Sequence, residues 1–128
     1  MSTKTIMITG ATDGIGRATA LRLAALGYTL LIHGRNAGKL AATAGELRAL
    51  PGAGPVETWQ ADISDLAATA RLAREIRGAH NQIDVLINNA GVYKLDHPVL
   101  PDGQDVRFVV NTMAPALLTR LLLGAIPA

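Results

Sequence analysis

The stretch Thr9-Gly10-Ala11-Thr12-Asp13-Gly14-Ile15-Gly16 sets the terms for the rest of the chain. It follows the apolar run Ile6-Met7-Ile8 and leads straight into small and aliphatic residues, so a strand, a tight turn and a helix succeed one another without a gap. Each glycine has its own reason in such a turn. Gly10 permits the sharp change of direction, Gly14 lets backbone approach a bound pyrophosphate, and Gly16 lets helix and strand pack closely. The N-terminus of the helix then offers free N–H groups and positive potential to an anion. A Gly-rich turn serving packing alone is the plain alternative.

The pattern established there repeats. Ile6 to Thr9 reads as a buried strand, and Ile15 to Leu26 as a helix stopped by Gly27. Tyr28 to His33 is a second strand. Asn36 can cap a helix from Ala37 to Leu50 that Pro51-Gly52 ends. Val56 to Gln60 is a third strand, Ser64 or Asp65 caps a helix from Leu66 to about Gly78, and Ile83 to Ile87 is a fourth strand. After a loop with Pro98, Pro101 and Gly103, a last helix runs from about Gln104 to Gly124. Strands that are continuous apolar runs, alternating with helices, imply a parallel sheet covered on both faces. The fold class is α/β, a partial Rossmann fold with sheet order 3-2-1-4 and one domain over 1–128. Hydrophobic residues make up 49% of the chain but aromatics only 3%, so the core has to be aliphatic.

Composition excludes several functions. The net charge is +2, with twelve Lys and Arg interleaved among ten acids, which argues against nucleic acid as a partner. The absence of cysteine removes disulfides, thiolate metal sites and a Cys nucleophile. His33, His80 and His97 lack metal-ligand spacing and read as surface or loop residues. Val106 to Ile126 is the one membrane-like segment, but Arg107, Arg120, Pro115 and Gly124 interrupt it, so we expect a packed helix rather than a span. The expected compartment is the cytoplasm.

No Walker A loop is present, and the general G-x-G-x-x-G fingerprint would need glycine where Thr19 stands. The turn fits T-G-x-x-x-G-x-G instead, the pattern of the single-domain short-chain dehydrogenases/reductases. Asn88-Asn89-Ala90-Gly91 resembles that family's N-N-A-G motif, Asp62 its adenine-contacting acid, and Asn111 in Val109-Val110-Asn111 its helix asparagine. The similarity runs from Thr5 to about Leu123, and Asp105 to Asn111 with Leu117-Leu118-Thr119 resembles the retinol-dehydrogenase-like branch. The resemblance implies a dinucleotide held by Thr9, Gly10, Thr12, Asp13, Gly14, Ile15 and Gly16, by Arg35 and Asn36, by Asp62 and Ile63, and by Asn89, Ala90, Gly91 and Asn111. It also implies hydride transfer between NADP(H) or NAD(H) and a small-molecule alcohol or carbonyl, with Asn111 the catalytic residue present. Structural readings stand beside these. Asn88 and Asn89 can satisfy backbone at a strand end, Asp62 can cap a helix, and Asn111 can serve the helix as a buried amide.

A site selecting NAD places an acid at the end of the second strand. Here that strand ends His33-Gly34-Arg35-Asn36, and Arg35 offers a planar cation to a 2′-phosphate instead, so NADP(H) is expected over NAD(H). Asp13, where many NADP-preferring members carry a base, counts the other way. The family's catalytic Tyr and Lys stand four residues apart. Neither Tyr28 nor Tyr93 has Lys at that spacing, and Ser2 and Ser64 do not match its catalytic serine. We therefore expect the family's nucleotide-binding part, truncated before its catalytic half. A non-catalytic nucleotide-binding module and an inactive fragment are the alternatives; a methyltransferase, which also wants an acid after the second strand, fits less well. The last helix, apolar on nearly every side, is expected to be buried, partly by self-association.

Overall fold

The computed structural model describes residues 3–91 and 98–127. Four strands, β1 (Thr5–Ile8), β2 (Thr29–Gly34), β3 (Val56–Gln60) and β4 (Val85–Ile87), form one parallel sheet in the order β3-β2-β1-β4. Ile6 sits beside Leu30 on one side and Val85 on the other, which fixes the register. Between the strands run α1 (Gly14–Ala25), α2 (Ala37–Arg48) and α3 (Leu66–Ala79).

The continuous apolar strands follow from two cores. Ile6, Ile8, Leu30 and Ile32 turn to one face, against Ala20 and Ala24 of α1 and Leu40, Ala44 and Leu47 of α2. Met7 and Leu31 turn to the other, against Leu72, Ala73 and Ile76 of α3 and against the last helix. Each fully buried aliphatic side chain contributes about 1.5–3 kcal/mol. Alanine at the α1 contact brings that helix close to the sheet.

Caps set several boundaries. The Asn36 side chain accepts from the Lys39 N–H at 2.9 Å. Of the two candidates before α3 it is Asp65 that caps, accepting from Ala67 and Ala68 N–H at 2.9 and 3.2 Å. α2 ends at Arg48, two residues before the expected Leu50, because Leu50 N–H already turns back to the Leu47 carbonyl. β4 begins two residues after the expected Ile83, whose N–H donates to the Ala125 carbonyl at 2.9 Å instead of pairing in the sheet.

The last helix differs most from expectation. A short α4 (Val106–Phe108) passes into a π-helical turn (Val109–Met113), then α5 (Ala114–Leu122) and a 3-10 turn (Leu123–Ala125). Its burial is one-sided. Val109, Val110, Ala114, Leu118 and Leu122 pack inward, whereas Phe108 is 56% exposed and Leu123 61%. Within one chain α3 and the sheet meet only one of its sides. Val106–Ala125 is long and apolar enough to cross a membrane by length and composition; here its inner face packs against α3.

Candidate dinucleotide site

In an open parallel sheet the ligand crevice lies beyond the carboxyl ends of the strands, where the strand order reverses. β1 is that point, with β2 and β3 on one side and β4 on the other. A cleft of about 410 Å³ opens there, lined by the Gly-rich turn, the ends of β2 and β3, the Asn89-Ala90-Gly91 segment, and Val106 and Val110.

The turn is held by its neighbours. Gly10 has φ +64°, and a Cβ on it would lie 2.7 Å from the Ala90 Cα, so the turn and the segment after β4 touch backbone to backbone. A Cβ on Gly16 would come 2.1 Å from the Gly10 carbonyl oxygen, which leaves no room for any side chain. Gly14 is the opposite case: at φ +54° it has nothing within 4 Å of its Cβ position, and it lines the cleft. Thr9, 2% exposed, accepts at Oγ1 from the N–H groups of Asn89 and Ala90, both at 3.1 Å. Asn89 Nδ2 returns the tie by donating to the Gly10 carbonyl at 3.0 Å. Asn88 instead donates to Thr119 Oγ1 of α5 at 2.9 Å.

Asp13 occupies the cap position of α1 but makes no capping hydrogen bond, unlike Asn36 and Asp65. Its carboxylate pairs with Lys39 Nζ at 3.2 Å, so no side chain of the turn neutralises the start of α1. An anion is the natural cap for such a terminus.

Arg35 is exposed at the end of β2 and lines the cleft, as do Thr12, Asp13, Ile15, Asp62 and Ile63. Asp62 accepts at Oδ1 from both the N–H and the hydroxyl of Ser64, at 3.0 and 2.7 Å. It shapes the turn before α3 without capping it. Thr9 and Gly16 lie beneath the cleft, and Asn36 is occupied as the α2 cap. Asn111 stands on the π turn and is exposed, not the buried amide expected of an apolar helix; Val109 and Val110 take the inward positions there. A Cβ on Gly91 would lie 3.3 Å from Asn111 Oδ1, so this asparagine borders the far end of the cleft. Tyr93, Lys94 and His97 lie outside the described residues, as does Ser2.

One histidine is misplaced by the sequence reading. His33 is 3% exposed, because β2 is flanked by β1 and β3 and its end is covered by the turn. Its Nδ1 accepts from the Gly10 N–H at 3.1 Å and its Nε2 lies 2.9 Å from the Ala61 carbonyl. Burial pushes this imidazole below the usual histidine range, with the Ala61 carbonyl and Asp62 acting the other way. His80 is half-buried, with Nε2 3.0 Å from Glu57 Oε1. A polar residue ending the run Leu30-Leu31-Ile32 of a central strand was the available signal for His33. Lys39 carried none, since its pairing with Asp13 spans two helices. Among the described residues no group of three or more His, Cys, Asp or Glu could hold a metal.

Comparison with known proteins gives a consistent picture. The family model for short chain dehydrogenase matches residues 4–126. Retinol dehydrogenase 14 from Mus musculus is 37% identical over 97% of this chain and 40% of its own length. A metagenomic short-chain oxidoreductase solved in complex with NADP superposes with a TM-score of 0.83 at 36% identity, over 98% of this chain and 57% of the other. A short-chain dehydrogenase from Sphingobium yanoikuyae in complex with NADPH gives 0.80 at 33% identity, over 93% of this chain and 46% of the other. The chain thus spans about two fifths of the length of the curated relatives it matches.

Proposed function

The chain belongs to the short-chain dehydrogenase family, and we propose that it forms the dinucleotide-holding part of an oxidoreductase moving hydride between NADP(H) and a small-molecule alcohol or carbonyl. The observation that carries this reading is the crevice over the end of β1, with open space before Gly14, an α1 start that no side chain caps, and a floor tied by Thr9 and Asn89. A dinucleotide fits these residues. Thr12, Gly14 and Ile15 would hold the pyrophosphate, Asp62 and Ile63 the adenine, and Asn89, Ala90 and Gly91 the path toward the nicotinamide, with Asn111 beside Gly91 at its far end. When bound, the cofactor supplies the hydride chemistry. The residues here orient it and exclude water from it.

The preference for NADP(H) over NAD(H) rests on Arg35, exposed at the end of β2 where an NAD site carries an acid. Lys39, paired with Asp13, removes the objection that Asp13 raises, because a cation accompanies that carboxylate. The solved relatives carrying NADP and NADPH support the same choice. Calorimetric titration of the full chain with NADP⁺ and NAD⁺ tests both levels. Binding of neither sinks the dinucleotide reading, and equal affinities sink only the preference.

One observation favours a second reading, a nucleotide-binding module without catalysis of its own: no tyrosine in the sequence has lysine four residues on. The outward apolar side of the last helix and the β4 edge, where Val85 is 40% exposed, support self-association through that helix in either case.

A further inference from the structure

We propose that His33 is a positioning residue that clasps the dinucleotide cleft, holding the Gly-rich turn to the end of β3 in a geometry only its neutral imidazole keeps; the inference rests on the dinucleotide reading of that cleft. The turn is bound to this residue twice, by Gly10 N–H to Nδ1 at 3.1 Å and by Ala11 N–H to the His33 carbonyl at 2.9 Å. On the other side Nε2 meets the Ala61 carbonyl at 2.9 Å, directly before Asp62 and Ile63. One imidazole therefore joins the pyrophosphate wall of the cleft to its adenine wall.

The partners dictate the tautomer. Gly10 N–H can only donate and the Ala61 carbonyl can only accept, so Nδ1 is bare and Nε2 carries the hydrogen. A second proton would go on Nδ1, pointing at the Gly10 N–H. Two buried donors would then face each other, and the Gly10 tie would be lost, leaving the turn held to β2 by Ala11 alone. The charged side chains lining the cleft are Asp13 from the turn, Arg35 from the end of β2 and Asp62 from the β3–α3 loop; the last helix contributes Val106 and Val110. Asp62 favours the protonated ring, but burial outweighs it and keeps the ring neutral near neutrality.

The test is titration of the full chain with NAD⁺ from about pH 7.5 to about pH 5, because the 2′-phosphate of NADP⁺ itself titrates near pH 6. Affinity should fall about tenfold over that interval, and recover on return. His33→Asn keeps an acceptor for Gly10 and does not titrate, so it should bind within a few-fold of the parent at neutrality with a flat profile. His33→Phe keeps ring volume without either bond and should bind at least about tenfold more weakly throughout. Long-range nitrogen NMR of the unsubstituted chain reads the tautomer directly and needs no variant. A hydrogen on Nδ1, a flat parental profile, or equal slopes in parent and His33→Asn overturns the clasp while leaving dinucleotide binding intact. Absence of NAD⁺ and NADP⁺ binding at every pH overturns the dinucleotide reading and the clasp with it.

Discussion

Among single residues, the glycines of the turn separate binding from stability. Gly16→Ala forces a Cβ to 2.1 Å from the Gly10 oxygen, and overpacking of this kind typically costs ~1–3 kcal/mol. Thermal unfolding should show a lowered Tm with or without ligand. Gly14→Val meets no atom within 4 Å, so its penalty is the positive φ alone, yet its side chain would stand where the pyrophosphate goes. That variant should fold, by circular dichroism, and lose dinucleotide affinity. Normal binding by folded Gly14→Val would move the anion site elsewhere. Arg35→Ala should weaken NADP⁺ by roughly ten- to a hundredfold, the equivalent of a charge-assisted contact of ~1.5–3 kcal/mol, and leave NAD⁺ unchanged. His33 adds a pH term to folding. Its folded pKa lies below the 6.5 of the unfolded chain, because burial disfavours the charged ring. The stability it contributes is complete above 6.5 and is lost as the pH falls through the lowered folded value. The urea midpoint should therefore drop on acidification, and drop less in His33→Asn.

Elements were legible in the sequence to the extent that periodicity reports burial. β2 and α2 announce themselves because Leu30, Leu31 and Ile32 fill both faces of a central strand and Asn36 caps the helix after it. The π turn at Val109–Met113 had no such sign, since inserting one residue into a helical turn leaves the apolar composition untouched. For the same reason the alternative reading of Asn111 as a buried amide fails, since the residue stands outside. His33 was misread in the reverse sense: histidine is common on surfaces, and the expected place of its strand between two neighbours was not carried through to the residue at its end. Gly10, Thr12 to Ile15, Arg35, Asp62, Ile63 and Asn89 to Gly91 of the cleft lining were readable from the motifs and the end of the second strand, whereas His33, Ala61, Ser64 and the inward Val106 and Val110 needed the tertiary structure. The outward side of the last helix yields its own prediction. Phe108→Glu and Leu123→Glu remove exposed apolar surface without touching the inner face, so sedimentation velocity at micromolar concentrations should shift toward monomer. A parent chain that is already a clean monomer would count against self-association.

For the whole molecule, holding a dinucleotide and using one are separate capacities. A proton has to move with the hydride, and the group that moves it must titrate in range. Tyr28 and Tyr93 lack a lysine four residues on, so neither matches the family's proton-carrying pair. The 128-residue chain should accordingly bind NADP⁺ but show no turnover above the cofactor blank across a panel of alcohols, aldehydes and ketones. Turnover that vanishes in Tyr93→Phe would reveal a proton carrier of a different design. The ties that build the cleft bear on folding as well. Thr9 reaches Asn89 and Ala90 across 80 and 81 residues of sequence, and Asn89 reaches back to Gly10 across 79. Contacts so distant along the chain are closed late, after the local strand–helix units have formed. The anion site is then a property of the finished sheet: a nascent chain that has emerged only as far as β3 carries the Gly-rich turn but not the Asn89-Ala90 segment that holds it in shape.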